Sequence, residues 1–429
     1  MRILYFHQYF KTREGSGGTR SYEMAKYFVD HGHQVTMVHA LTDKSKSPLT
    51  GPYVNGRRRG SVDGIDLIEF NLASSNKSNF LQRALVFISF SLRSIRVVFE
   101  EEFDIVFATS TPLTAGIPGI VMKLFGKRKP FVFEVRDLWP ELPREMGVIK
   151  NKVALWAMGV LESLSYNKAD ACVALSPGIK EGIEAKLKDK STPVYLVPNG
   201  CDLDFLKPGK ELKSNIPTIQ DTDFVAIFTG AHGMANGLDS ALDAAKELIR
   251  KGYGQQIKLV FVGDGMLKAR LIERAKAEDL GNCVFLDPVP KNKLLTYMHA
   301  ADVGLMLLAN VKAFYYGTSP NKFFDYISVG LPILNNYPGW LAGMIQENDC
   351  GLVVPPANPE AFANALIDLY ERKEQLPAMG QNARNLAERD FDRRQLAATL
   401  LKALVTTHGK VTDKRQEKGV RYKPEAVTP

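Results

Sequence analysis

The chain has 429 residues, 45% hydrophobic and 24% charged, with a net charge of +8. That length is long for one core, so two domains are expected, and the ordinary composition excludes disorder over most of the chain. The four cysteines, Cys172, Cys201, Cys283 and Cys350, are widely spaced, which excludes a paired zinc motif or a disulfide frame and points to a reducing compartment.

Arg2-Ile3-Leu4-Tyr5-Phe6 is too short for a secretory signal and reads as a first strand, over 2–7. A Gly-rich loop, Gly15-Ser16-Gly17-Gly18-Thr19, then enters a helix over about Thr19–Val29, which His31-Gly32-His33 ends before a strand at Gln34–His39. Backbone N–H groups at Gly17 and Gly18 can approach an anion unobstructed, the helix N-terminus adds favourable partial charge, and Arg20 can reinforce it. No Gly-Lys-Ser/Thr ends the loop, so it is not a Walker loop, and its spacing does not fit a dinucleotide fingerprint.

Further strands are predicted at Ile65–Asn71, Ile105–Thr109, Phe131–Val135, Ala171–Leu175 and Val194–Val197, with helical patterns or loops between. This alternation predicts a mostly parallel sheet. The longest apolar stretch, Ala84 to Leu92, is bracketed by Arg83 and Arg93 and falls short of the ~20 residues a membrane span needs. At the end of the Phe131 strand, Glu134, Arg136, Asp137 and Glu141 place four ionisable groups where a cleft is expected. Arg136 and Asp137 adjoin and so point differently, one toward a ligand and the other holding the site.

The positive charge belongs to the first half: residues 1–200 hold 27 Lys and Arg against 20 Asp and Glu, and residues 201–429 hold 28 against 27. Arg57-Arg58-Arg59, Lys127-Arg128-Lys129 and the Arg-bearing segment 81–99 suit an anionic membrane face, with Leu81, Phe87 and Phe90 dipping below the phosphates. Nucleic acid is disfavoured, because aromatic residues do not interleave with the basic clusters.

Pro198-Asn199-Gly200 and Leu206-Lys207-Pro208-Gly209 mark a linker near 199–222. A second unit opens with Phe224–Gly230 and continues through a helix near Leu238–Lys251 and strands at Lys258–Val262, Cys283–Leu286, Val303–Leu307, Ile333–Asn335 and Gly351–Val354. Its first loop, Gly230 to Asp239 with His232, Asn236 and Gly237, repeats the strand, Gly-rich loop and helix device and offers amide donors to a diphosphate. Gly263-Asp264-Gly265 and Leu286-Asp287-Pro288-Val289-Pro290 follow buried strands where backbone would line a base and ribose. In Ser319-Pro320-Asn321-Lys322-Phe323-Phe324-Asp325, Lys322 can meet a phosphate, and Asp325, one turn on, can accept hydrogen bonds from sugar hydroxyls. The expected fold class is α/β, with two doubly wound parallel-sheet domains facing a central cleft: residues 1–200, then 201–390, a helix over 391–408 packing back on the first domain, and a mobile basic tail over 409–429.

Taken in order, Gly17-Gly18-Thr19-Arg20, Glu134 to Pro140, Val197 to Asp202, Gly230 to Asp239, Gly263-Asp264-Gly265 and Ser319 to Pro332 resemble the retaining two-domain glycosyltransferases of family four, of Rossmann-like GT-B fold. The likeness is strongest to bacterial surface-polysaccharide members that transfer aminosugars, and it covers about residues 1–405. The resemblance implies a nucleotide-diphosphate sugar donor, UDP-linked by preference, held mainly by the second domain, with no metal and no cofactor. It places the donor at Gly17, Gly18, Arg20, Gly230, His232, Asn236, Gly237, Asp264, Val289, Ser319, Asn321 and Asp325. Catalysis falls to Lys322, Arg136 and Asp137. The resemblance places the acceptor on the first domain, with His7 and Glu134 as its expected contacts, and the basic first domain points to a polyprenyl-diphosphate-linked saccharide at the inner face of the cytoplasmic membrane.

Three departures sharpen this reading. Ala231 and Asn236 stand where many members keep an Arg and a Lys on the diphosphate, which makes Lys322 the leading phosphate cation. Of two glutamates eight positions apart in relatives, the later matches Asp325, expected on the ribose, and the earlier falls on Gly317. Arg136 replaces a frequent His, leaving His7 or Asp137 as substitutes. Asp202-Leu203-Asp204 sits in the linker and reads as a turn rather than a metal pair. A sugar-nucleotide epimerase and a non-catalytic nucleotide-sugar-binding protein share this architecture and stand as the other readings.

Overall fold

A computed structural model of the chain describes residues 1–13, 18–41, 47–72 and 80–420. The first sheet contains β1 (Arg2–Phe6), β2 (Gln34–Ala40), β3 (Arg57–Val62), β4 (Ile65–Phe70), β5 (Ile105–Thr109), β6 (Phe131–Val135), β7 (Ala171–Ala174) and β8 (Val194–Leu196). Their order is β3-β4-β2-β1-β5-β6-β7-β8, and all neighbours are parallel except β3 with β4. β5 and β6 are buried along their whole length, as near-continuous apolar runs in a parallel sheet must be. Helices cover both faces: α1 (Arg20–Asp30), α2 (Phe80–Glu100), α3 (Ile117–Phe125), α4 (Glu141–Glu145), α5 (Lys152–Lys168) and α6 (Pro177–Lys186). Gly32, with φ +79°, turns the chain out of α1, as the His31-Gly32-His33 signal predicts.

β3 is the element that sequence periodicity does not reveal. Its arginines form a charged edge strand, which blocks pairing with another sheet. They are also not a free basic patch. Arg57 pairs with Glu100 at 2.5 Å, Arg58 with Glu69 at 2.7 Å, and Arg59 with Asp66 and, at 2.8 Å, Glu101. Lys127 likewise donates to the Glu101 carbonyl at 2.7 Å and to Glu102 at 3.1 Å. Phe90, expected to dip into lipid, is fully buried in the core instead; the side chain of Leu81 lies outside the described residues.

The second sheet is wholly parallel, in the order β11-β10-β9-β12-β13-β14. Its strands are β9 (Phe224–Thr229), β10 (Ile257–Val262), β11 (Cys283–Leu286), β12 (Val303–Met306), β13 (Ile333–Asn335) and β14 (Gly351–Val353). Its helices are α7 (Asp239–Arg250), α8 (Lys268–Ala277), α9 (Lys291–Ala300), α10 (Lys312–Gly317), α11 (Asn321–Ser328), α12 (Trp340–Glu347), α13 (Pro359–Glu371) and α14 (Leu376–Asp390). The last helix, α15 (Arg393–Val420), returns to the first domain, where Ala397, Leu400 and Leu404 join the core beside α1. It continues past 409, where the polar sequence suggested irregular chain, to Val420.

The chain thus passes between the domains twice. The Cys201 N–H donates to the Phe391 carbonyl at 2.7 Å, and the Arg393 N–H donates to the Cys201 carbonyl at 3.1 Å. Asp202 lies 3.6 Å from Arg393 and Asp204 pairs with Arg394, so this Asp-x-Asp sequence laces the two crossings together. Strand order reverses at β1 in the first sheet and at β9 in the second. Open α/β sheets bind ligands beyond the carboxyl ends of such strands, which here are the loops that face the cleft.

Candidate functional site

Between the domains lies a cavity of about 570 Å³. Gly18 and Thr19 reach it from the first domain, and the loops after β9, β10 and β11, together with the start of α11, line it from the second. Close approach of these loops depends on missing side chains. A Cβ on Gly263, at φ +155°, would stand 1.9 Å from the Gly230 carbonyl oxygen, and one on Gly237, at φ +55°, 2.7 Å from Ala309 Cα. A Cβ on Gly18 would meet the Asn321 amide at 2.7 Å, so the first domain's loop seats directly on the start of α11. Gly17 lies outside the described residues.

Lys322 projects from the first turn of α11, over the Phe228 ring at 4.1 Å. Its ammonium donates to Asn236 Oδ1 at 2.7 Å, and Asn236 Nδ2 in turn donates to the Ala231 carbonyl at 2.7 Å. Ala231 and Asn236, the two positions where the resemblance leads one to expect cations, therefore form the bracket that holds Lys322. Burial pulls the Lys322 ammonium down to about 7, so a small change in its surroundings decides its charge. Asp325 also lines the cavity, 4.0 Å from Lys291. Burial pushes its carboxyl up, against the opposing pull of Lys291 and Arg393. Asp264, Val289 and Asn321 line the same space.

Three further cations reach this cavity, Arg13, Lys291 and Arg393, and sequence reasoning missed all of them. Arg13 pairs with Glu23 at 2.7 and 2.8 Å. Arg393 presents a buried Nη1 with no hydrogen-bond partner among the described residues. Only Lys291 had a local signal, since it follows the Pro288-Val289-Pro290 turn. Arg13 and Arg393 come from a loop before α1 and from the second interdomain crossing, which no spacing rule connects.

Other expected site residues are placed elsewhere. Arg20 is buried and donates to Glu134 at 2.8 Å and to the carbonyls of Pro198 and Val197 at 2.5 and 2.8 Å. It fastens α1 to β6 and the linker, with four of its five N–H donors taken up inside the protein. Burial would raise the Glu134 carboxyl, but Arg20 outweighs it and holds Glu134 below the usual range. Thr109 donates to the other oxygen at 2.7 Å, so Glu134 is committed within the sheet rather than to an acceptor. His232 is fully buried among Phe228, Phe261 and Phe285, and burial brings it down to about 4. It supports the loop from below. Ser319 accepts from the Asn199 N–H at 3.1 Å, and its carbonyl accepts from Asn199 Nδ2 at 2.5 Å, tying the α11 approach to the linker.

His7 and Arg136 meet in the first domain, with Arg136 Nη1 3.3 Å from His7 Nε2. Burial, then Arg136, holds His7 well below its ordinary value, so the neutral ring accepts from the guanidinium. Asp137, raised by burial, opens on a second cavity of about 380 Å³ between α4, α6 and α10, with Glu141, Arg144, Glu145 and Lys312 around it. Gly317 lies there too, and a Cβ on it would meet nothing within 4 Å. Among the described residues, no group of three His, Cys, Asp or Glu side chains is placed to hold a metal ion.

Two family models match the chain in sequence: "Glycosyltransferase Family 4" over residues 17–205 and "Glycosyl transferases group 1" over residues 209–386. Among characterised relatives, the D-rhamnosyltransferase WbpZ of Pseudomonas aeruginosa is 27% identical over 55% of this chain and 59% of its own length. The O-antigen chain mannosyltransferase C of Escherichia coli is 23% identical over 57% of this chain and 62% of its own. The chain therefore spans less than two thirds of the length of each of these two relatives. In fold it resembles HepE of Anabaena, solved in complex with UDP and glucose, with a TM-score of 0.67 at 16% identity over 94% of this chain and 99% of that one.

Proposed function

Because the chain belongs to the two-domain family-four glycosyltransferases, we propose that it moves a sugar from a nucleotide-diphosphate donor to a lipid-linked saccharide in surface-polysaccharide biosynthesis, as a metal-independent retaining enzyme. The observation that carries this reading is the interdomain cavity, where Lys322 and Asp325 stand one helical turn apart between glycine loops. In such a transfer, charge builds on the departing diphosphate while the acceptor hydroxyl attacks from the same face. Lys322, the amides of the Gly230–Gly237 loop and the N-terminus of α11 are preorganised to meet that charge. Asp325 takes the ribose hydroxyls, and Asp264 and Val289 flank the base. The acceptor enters through the Asp137 cavity, with Arg136 and His7 on the first-domain wall. Such an acceptor puts the enzyme on the inner face of the cytoplasmic membrane.

The experiment is a thermal-shift screen against UDP-, GDP- and dTDP-sugars followed by transfer assays with polyprenyl-diphosphate-linked acceptors. A ligand that binds only the folded state raises the midpoint, and UDP-linked N-acetylated aminosugar is the donor expected to do so. No stabilisation by any nucleotide-sugar would defeat the reading. Epimerised nucleotide-sugar released without acceptor would indicate an epimerase, and saturable binding with no transfer a binding protein.

A further inference from the structure

The exposed face of α5 is apolar. After Lys152 in its first turn, its exposed residues, Val153, Trp156, Ala157, Val160 and Leu164, are all apolar, and Val153 and Trp156 are 72% and 70% exposed. Their spacing of three, four, seven and eleven residues places them along one face. The inward face packs Met158, Leu161 and Tyr166 on the core and also holds two polar groups, Glu162 and Ser165, Glu162 receiving the Lys186 ammonium at 2.7 Å. A surface helix of a monomeric protein presents a polar outer face instead.

α2 adds a second apolar row. Leu85, Ile88 and Leu92, three and seven positions apart, are 56%, 49% and 62% exposed. α3 lies between α2 and α5, in contact with both, so the two rows share one side of the first sheet. Both helices begin at the carboxyl edge of that sheet, the edge that opens on the cleft. Phe87 of α2 meets Tyr9 from the loop after β1, and Gly159 of α5 approaches Pro140.

The charge at this surface selects its occupant. Lys150 and Lys152 are exposed at the start of α5 and Arg93 is exposed on α2, whereas Arg96 pairs with Glu100. The only acid within α5 is inward-facing Glu162, and α2 has none before Glu100 at its end. Exposed apolar residues rimmed by cations suit an anionic bilayer surface, with Trp at the headgroup level. At 17 residues, α5 would lie flat over about 25 Å, and no helix among the described residues is long and apolar enough to cross.

We propose that the outer face of α5, with Leu85, Ile88 and Leu92 of α2, docks the enzyme on an anionic lipid surface and brings the mouth of the cleft to the bilayer. This rests on the reading of a lipid-linked acceptor and moves the docking surface from the Arg57–Arg59 cluster, whose charges its own acids neutralise, to an apolar helix face.

The test uses the full chain with phosphatidylcholine vesicles, with and without about one third phosphatidylglycerol, and with brominated acyl chains. Flotation with the anionic vesicles and quenching of Trp156 fluorescence are expected, the quenching lost in Trp156→Phe. Trp156→Glu with Val153→Asp should weaken vesicle binding at least about tenfold, while the thermal midpoint and turnover on a short-chain, water-soluble acceptor stay unchanged. Unaltered flotation of that double variant, or no flotation of the wild type even at low salt, would overturn the proposal. So would a stable dimer that the double variant abolishes, since the face would then belong to a second copy. Failure of the function itself reads differently: no transfer to the soluble acceptor, whatever the vesicles show.

Discussion

Lys322 shows how a side chain's surroundings replace a neighbouring charge. Ala231 and Asn236 stand where the family resemblance leads one to expect cations, and here those positions bracket the lysine instead. Lys322→Ala is expected to raise the transfer barrier by about 2–4 kcal/mol, with little change in acceptor KM, measured by steady-state kinetics with purified donor and acceptor. Asn236→Ala should raise donor KM before it lowers turnover, because Lys322 remains but its direction is lost. The pH dependence follows from burial. With its folded value near 7 and its unfolded value higher, the native state binds fewer protons than the unfolded one between these limits, so this lysine's burial penalty is fully present below about pH 7 and fades as pH rises. A bound diphosphate favours the charged form, so donor binding should draw in a proton above pH 7 and weaken as pH rises. Calorimetry in two buffers of different ionisation enthalpy at about pH 8 would show that uptake, and Lys322→Met would abolish it.

At the scale of elements, the loops that form the cavity are spaced by what glycine lacks. Gly263→Ala would drive a Cβ into the Gly230 carbonyl and force the loops after β9 and β10 apart. We expect a loss of about 1–3 kcal/mol in urea unfolding, with weaker donor binding. The Arg20–Glu134 pair is a strut of a different kind, linking α1, β6 and the linker in the interior. Removing one partner leaves an uncompensated buried charge. Arg20→Ala should therefore cost about 3–5 kcal/mol of stability, whereas a surface pair such as Lys246–Glu278 should cost under about 1 kcal/mol. A phosphate contact at Arg20 would instead give a donor-binding defect with stability intact.

At the scale of the whole molecule, α15 closes the architecture by completing the first domain from the far end of the chain. Leu400 is fully buried against α1 and the first sheet. Leu400→Ala should destabilise the first domain by about 2–5 kcal/mol in denaturant titration, although the residue follows the entire second domain in sequence. The two crossings, joined at Cys201 and Phe391 and laced by Asp202 and Arg393, also carry Arg393 to the interdomain cavity. The interdomain crossing and the cavity thus share a residue.

Much of this was legible without coordinates. Apolar runs of parallel-strand length placed all strands except β3, because strands buried on both faces must be hydrophobic throughout. Lys322, Asp325, Asn236 and the glycine loops were readable because they lie within a few residues of those strand ends. What tertiary structure alone decided is which ionisable groups face which. Arg20, Glu134 and His232 look like site residues in a linear reading, and the fold turns them into the interior. Arg13 and Arg393 look ordinary, and the fold delivers them to the cavity. Local pattern specifies elements because backbone geometry repeats every two or 3.6 residues; no such period relates residues 13, 291, 322 and 393, which only the closure of two sheets around one cleft brings together.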